Sequence, residues 1–324
     1  MSAPTPRRPS GLTWTVLRLH RTALYAWGAV LLAAAAVLTW MHVIGPDVRA
    51  AVGNCGSPGA VAADCARLQT TTVDEIHTYG LDLVATGVTY LLYPVAAWAA
   101  AALIGRELES GTAQLAWTQS VTPVRWLVAK LTVPAVLLTA GTALAVLLSA
   151  WARRAEDGDL IGGWFNTNVF ISTGPVAVAY ALAGLALGAL AGLALRRALP
   201  AAGAAVASAF VLHSVLDQFR MSLWPAVTVT GRTALHLPTG SLALEHGAVT
   251  RHGERLGNDL ACVGSGSSTS IGECVKRTGL TDFWATYQPE SHFWPLQLVE
   301  SGLLLAVAGL ATAAAFALLR RRTP

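Results

Sequence analysis

Apolar residues along this chain gather into six long runs separated by polar stretches: Ala23–Ile44, Leu81–Ile104, Leu131–Trp151, Val169–Leu195, Ala198–Leu216 and Trp294–Leu319. Each holds roughly 19 to 27 residues, the length with which a helix crosses about 30 Å of hydrocarbon. A bilayer interior offers no partner for backbone amides, so such runs must be helical. Hydrophobic residues make up 54% of the chain and charged ones only 12%, far below the charge of a soluble domain. The pattern predicts an all-α integral membrane protein with about six transmembrane helices. The first run is too long for a secretory signal and ends in Met41-His42-Val43, not in a small-residue cleavage site, so it reads as a retained span. The fifth is the shortest and is bounded by Pro200.

Basic residues give the orientation. Arg7, Arg8, Arg18 and Arg21 precede the first run, Arg106, Arg125 and Lys130 lie between the second and third, Arg196 and Arg197 between the fourth and fifth, and Arg320, Arg321 and Arg322 follow the sixth. Short loops rich in Lys and Arg stay in the cytoplasm, so both termini are expected there. Arg153 and Arg154 depart from the rule and are balanced by Glu156, Asp157 and Asp159. The net charge of +4 thus reflects membrane topology, and nucleic acid is not an expected partner.

The chain accordingly divides into a cytoplasmic segment 1–22, helices one to five over 23–217, a large extracellular or re-entrant insertion 218–293, and a sixth helix with its basic tail over 294–324. Residues 45–80 form an outer loop and 105–130 a cytoplasmic one. Leu12–Thr22 reads either as an interfacial amphipathic helix or as an extension of the first span. Trp224, Trp284, Tyr287 and Trp294 suit the headgroup zone, and Met221–Thr230, interrupted by Pro225, suits a re-entrant or interfacial turn. Cys55, Cys65, Cys262 and Cys274 all fall in the expected outer loops, where disulfides persist. Local pairs, Cys55 with Cys65 and Cys262 with Cys274, are the economical arrangement; cross-loop pairing and free thiols stay open. No zinc or other metal site is expected, because the close Cys-x-x-Cys spacing is missing.

The cytoplasmic loop Gly105–Lys130 begins with charge, continues amphipathic and meets Pro123, which suits a short helix docking on a soluble partner. Its Arg-Glu-Leu-Glu-Ser-Gly-Thr, followed by Trp-Thr-Gln-Ser, Pro-Val-Arg and Ala-Lys, resembles the coupling segment of type-two ABC transporter permeases. The six-span layout and Phe293-Trp-Pro-Leu-Gln-Leu-Val-Glu300 are similar to actinobacterial members of that family. The resemblance implies export of drugs, lipids, polysaccharides or peptides from the plasma membrane, with efflux and antibiotic resistance as expected roles. It assigns ATPase coupling to Arg106, Glu107, Leu108, Glu109, Gly111, Thr112 and Arg125. It also implies a second copy of the chain and two copies of a separate ATPase, which would hold the ATP and Mg; lipid is the remaining partner.

This chain shows no Gly-x-x-x-x-Gly-Lys-Ser/Thr, no His-Glu-x-x-His and no Gly-x-Ser-x-Gly, so neither a cofactor nor a catalytic residue of its own is expected. Ionisable residues within spans are costly and draw functional suspicion. His42, Asp82, His213, Asp217 and Glu300 lie near outer span ends, where water can reach them. With Tyr90, Tyr93 and Trp98 of the second run, His213, Asp217 and Glu300 form a candidate substrate pathway. Gly184, Gly188 and Gly192 form a small-residue face for helix packing or a dimer contact. The rival function is a membrane-embedded sensor or immunity protein that binds a ligand through its outer loop without transport.

Overall fold

The computed structural model describes residues 21–55, 72–119, 121–154, 163–253, 255–257 and 280–322. The Leu12–Thr22 reading lies almost wholly outside them. Cys65, Cys262 and Cys274 do so entirely, and Cys55 is described only in its backbone, so the disulfide pairing is untouched by the structure.

Nine α-helices are formed among the described residues: α1 (Arg21–Cys55), α2 (Thr72–Tyr90), α3 (Leu92–Glu109), α4 (Thr112–Thr118), α5 (Pro123–Arg153), α6 (Thr167–Thr173), α7 (Val176–Leu195), α8 (Ala198–Phe219) and α9 (Phe293–Arg322). Six helical stretches are long and apolar enough to cross a bilayer. Two expected spans are interrupted. α2 and α3 are one span broken at Leu91, because Pro94 has no N–H to close onto the Tyr90 carbonyl. The fourth span is split at Gly174-Pro175 into α6 and α7.

α7 is the hub of the bundle: 72% of its most apolar window is buried, against 17% for α1. Its glycine face is used within the chain. A Cβ at Gly184 would sit 2.5 Å from the Tyr93 carbonyl oxygen, and one at Gly192 would sit 3.0 Å from Ile104 Cβ. Small residues therefore bring α7 against α3 as close as backbones allow, and this stripe is not a free dimer face. The other walls of the core come from Phe170, Ala205, Ala209, Leu296 and Leu304.

The all-α expectation needs one correction. Between α8 and α9 lies a four-stranded antiparallel sheet, ordered β1-β4-β2-β3, made of β1 (Val227–Thr230), β2 (Leu242–Thr250), β3 (Arg255–Leu256) and β4 (Leu280–Gln288). Met221–Thr230 accordingly runs through a short 3-10 turn into β1. Trp284 and Tyr287 are packed within the sheet, only 8% and 9% exposed. β-branched and aromatic residues fit a pleated, half-buried surface, and Val-Thr-Val-Thr with Phe-Trp-Ala-Thr-Tyr supplies them. The sheet is tied to the bundle. Gln288 Nε2, fully buried, donates to the carbonyls of Met221 and Trp224 at 2.9 Å each, and Trp164 Nε1 donates to the Gly240 carbonyl at 2.7 Å.

Candidate functional site

Two polar clusters stand out from this apolar frame, one at the basic end of the bundle and one beneath the sheet. The first is the connection from α3 to α5. Gly111 turns the chain with φ +74°, a left-handed conformation that suits glycine. Thr112 Oγ1 donates to the Glu107 carbonyl at 3.3 Å, which folds α4 back on α3. Thr122 caps α5, accepting from the Arg125 amide at 3.3 Å, and Pro123 occupies the first turn, where its missing N–H costs nothing.

The two acidic residues of this segment each tie α3 to another helix, Glu107 from a partly buried position and Glu109 from an exposed one. Glu107 accepts from Trp126 Nε1 at 2.9 Å and pairs with Lys130, tying α3 to α5. Glu109 Oε2 accepts from the Ala198 amide at 3.0 Å, tying α3 to the first turn of α8. That carboxylate also lies where an anion complements the helix dipole. Leu108 and Ala113 are buried against Trp126, Leu127 and Leu319. The outward face is different: Thr112, Gln114, Leu115, Thr118 and Gln119 are exposed, flanked by Arg106 and Arg125. Leu115, 59% exposed, is its apolar centre.

Of the seven residues assigned to coupling, then, Arg106, Thr112 and Arg125 are on the surface, Glu107 and Leu108 are turned into the bundle, Glu109 grips α8 and Gly111 makes the turn. The structure adds Trp126, Lys130 and Ala198. Lys130, one of two lysines in the chain and placed just inside a span, was the signal that could have revealed the Glu107 contact.

The second cluster centres on Glu300, buried completely within α9. Arg220, just past α8, donates Nε to Glu300 Oε2 at 2.8 Å and Nη2 to Oε1 at 3.3 Å, a two-point contact. Tyr180 OH donates to Glu300 Oε1 at 2.8 Å. Arg220 Nη1 reaches Asp217 at 2.7 Å and Thr167 Oγ1 at 3.2 Å, while its guanidinium lies 4.7 Å above the Phe170 ring centroid. The expectation of water access is wrong for Glu300 and His213, which are both buried, and fits Asp82, which is exposed, and Asp217, whose side chain is 41% exposed. Buried charge persists where geometry satisfies it, and here five groups on α6, α7, α8 and α9 do so. One turn before Glu300, Gln297 donates Nε2 to the Phe170 carbonyl at 2.6 Å and accepts from the Val176 amide at 3.2 Å. It thereby satisfies the backbone groups freed by the α6–α7 break.

The pathway residues separate accordingly. His213 is buried and stacks on Tyr93 at 5.1 Å, with Tyr180 and Tyr90 edge-on at 5.4 and 5.5 Å. His213 Nδ1 and Tyr93 OH have no hydrogen-bond partner among the described residues. Asp217 and Glu300 join this group through Arg220. Trp98 stands apart, 54% exposed on the outside of α3. His42 stacks on Trp151 at 3.9 Å, and Asp82 accepts from Asn168 at 3.3 Å and Thr86 at 3.4 Å. Arg220 was missed at the sequence level, because it follows the end of the apolar run instead of interrupting it.

Six bilayer-length helices with a glycine-lined hub define a multi-pass membrane protein. The family model described as "ABC-2 membrane transporter related" matches residues 28–220, more than half of the chain, and the chain belongs to that family. It is thus a membrane subunit of the ABC-2 permease type, a family that associates with ABC ATPase subunits. No curated protein matches the chain at significant similarity.

Proposed function

We propose that this chain is the permease subunit of an ATP-driven exporter in the bacterial plasma membrane, moving an amphipathic small molecule, lipid or peptide outward. Two copies act with two copies of a separate ATPase, which binds ATP and Mg and performs the hydrolysis. The basic ends of the helices face the cytoplasm and the sheet faces outside, an orientation supported by the distribution of Lys and Arg.

The observation that carries this reading is the two-sided construction of the α3–α5 connection. Its outer face is centred on the exposed Leu115 and flanked by the exposed Arg106, Glu109 and Arg125, which suits seating in a groove of a soluble partner. Its inner face grips two spans through Glu107 and Glu109. A push on α4 therefore moves α5 and α8 together. α8 has 22 residues and is about 33 Å long at 1.5 Å per residue, and its far end carries Asp217 and leads into Arg220. Displacement at Ala198 is felt at the buried ion pair, where α8 meets α9. The cargo route then runs along the aromatic group of Tyr90, Tyr93 and His213.

The test is ATP-dependent export by vesicles containing the permease and its ATPase. Glu109→Gln, which weakens the grip on the Ala198 amide, is expected to lower transport per ATP hydrolysed while the subunits remain associated. Unchanged transport per ATP would remove α8 from the route.

A further inference from the structure

The turn between α7 and α8 carries two guanidinium groups that the fold does not use. Arg196 and Arg197 are exposed, and neither side chain has a hydrogen bond or ion pair among the described residues. Arg322 nearby is engaged: its Nη1 donates to the carbonyl of Leu193 at 2.6 Å and to that of Ala194 at 3.3 Å, completing the end of α7. Arg196 itself has φ +54°, with its amide donating to the Gly192 carbonyl at 3.0 Å. Glycine is the usual residue at that position of a helix end, so an arginine there strains the backbone, and its guanidinium is what the position gains.

Both arginines border a cavity of about 640 Å³, shared with Leu108, Glu109, Leu199 and Pro200. Glu109 is the one acid in its wall and is already held by the Ala198 amide, so positive charge predominates. Apolar surface stands directly beside the charge: Leu199 is 82% exposed and Leu195 46% exposed, at the ends of helices that run into the bilayer. A soluble acidic partner would complement the guanidiniums but not these leucines. A lipid complements both.

We propose that this turn binds an anionic phospholipid of the leaflet at the basic end of the bundle, its phosphate between Arg196 and Arg197 and its acyl chains along Leu195 and Leu199. Arginine matches phosphate geometry through its fork of donors, and basic groups at a membrane surface select anionic headgroups. The site adjoins Glu109, so a bound lipid braces the same turn on which the α3–α5 connection pulls. The lipid site itself rests only on the chain being membrane-embedded, not on the transport reading.

Native mass spectrometry of the full chain alone, in neutral detergent with equal phosphatidylglycerol and phosphatidylcholine, tests it. The wild type should carry mainly phosphatidylglycerol adducts. Arg196→Gln with Arg197→Gln should cut that preference by about tenfold, with the melting profile unchanged. Arg196→Lys with Arg197→Lys should retain most of it, as should Arg320→Gln with Arg321→Gln in the tail. Equal adducts of the two lipids, a preference that survives the double glutamine variant, or equal loss in the tail variant would each overturn the site. Full displacement by inorganic phosphate would make it a site for free anions. Loss of ATPase association in the glutamine variant with lipid preference intact would make the turn a protein contact; both outcomes also overturn the proposal.

Discussion

The two ends of α8 use the same chemistry in different surroundings. At the basic end, Glu107 pairs with Lys130 and Glu109 holds the Ala198 amide, in a segment that is partly open to solvent. At the other end Glu300 and Arg220 are sealed, with side chains 0% and 2% exposed. Water reaches Glu109 openly and Glu107 in part, although Lys130 is itself only 6% exposed, and this partial screening lowers the cost of exchanging partners. Water cannot reach the second set, where losing one partner strands a charge. The basic end is therefore built to be moved, and the buried end to hold two helices in register.

That contrast can be broken from the buried side first. Glu300→Gln, which leaves Arg220 without its main counter-charge, should destabilise the chain by roughly 3–5 kcal/mol. The fall in melting temperature of purified protein measures it. Arg220→Met with Glu300→Leu should recover much of the loss, since an apolar pair of similar volume removes the stranded charge. Recovery would mark the pair as a source of specificity more than of net stability.

A smaller effect is expected at the hub. Gly188→Ala places a methyl against the Ala97 carbonyl oxygen, a backbone atom that cannot swing aside, and 2.8 Å from Ala100 Cβ. Overpacking of this kind costs about 1–3 kcal/mol, and thermal unfolding should show it whether or not a partner is present. At the basic end, Thr122→Ala removes the cap of α5 and should cost about 1 kcal/mol. Lys130→Met should be of similar size, because Glu107 keeps its Trp126 bond and is 20% exposed. If Lys130→Met proved as damaging as Glu300→Gln, the distinction between the two ends would fail.

The sequence pattern revealed the membrane class well, because bilayer thickness imposes a length that soluble helices seldom reach. Breaks in those spans were harder to see. Pro94 and Gly174-Pro175 are visible as residues, but Gln297, which repairs the second break, lies more than 120 positions away in a run of otherwise apolar residues. The sheet was hidden for a related reason. β4 pairs with β2 across roughly thirty residues and with β1 across roughly fifty, so no local turn advertised the strands. In the α3–α5 connection the motif was legible while its internal contacts were not: Glu107 looks like a surface charge until α5 is packed beside it, and the exposed Glu109 shows its hold on α8 only in the fold. Arg220 is the instructive omission, since a cation at the edge of an apolar run reads as a helix end until its acid on another helix is known.

On the proposed function, α4 presents its outer face to an ATPase. Co-purification of the full chain with its cognate ATPase, comparing wild type, Leu115→Asp and Leu244→Asp, tests it most directly. Both leucines are exposed, at 59% and 39%, so neither change disturbs the core. Leu115→Asp should abolish association and ATP-driven transport, while Leu244→Asp, in the sheet, should leave association intact. Undiminished association of Leu115→Asp, with the chain folded as judged by its melting profile, would contradict it.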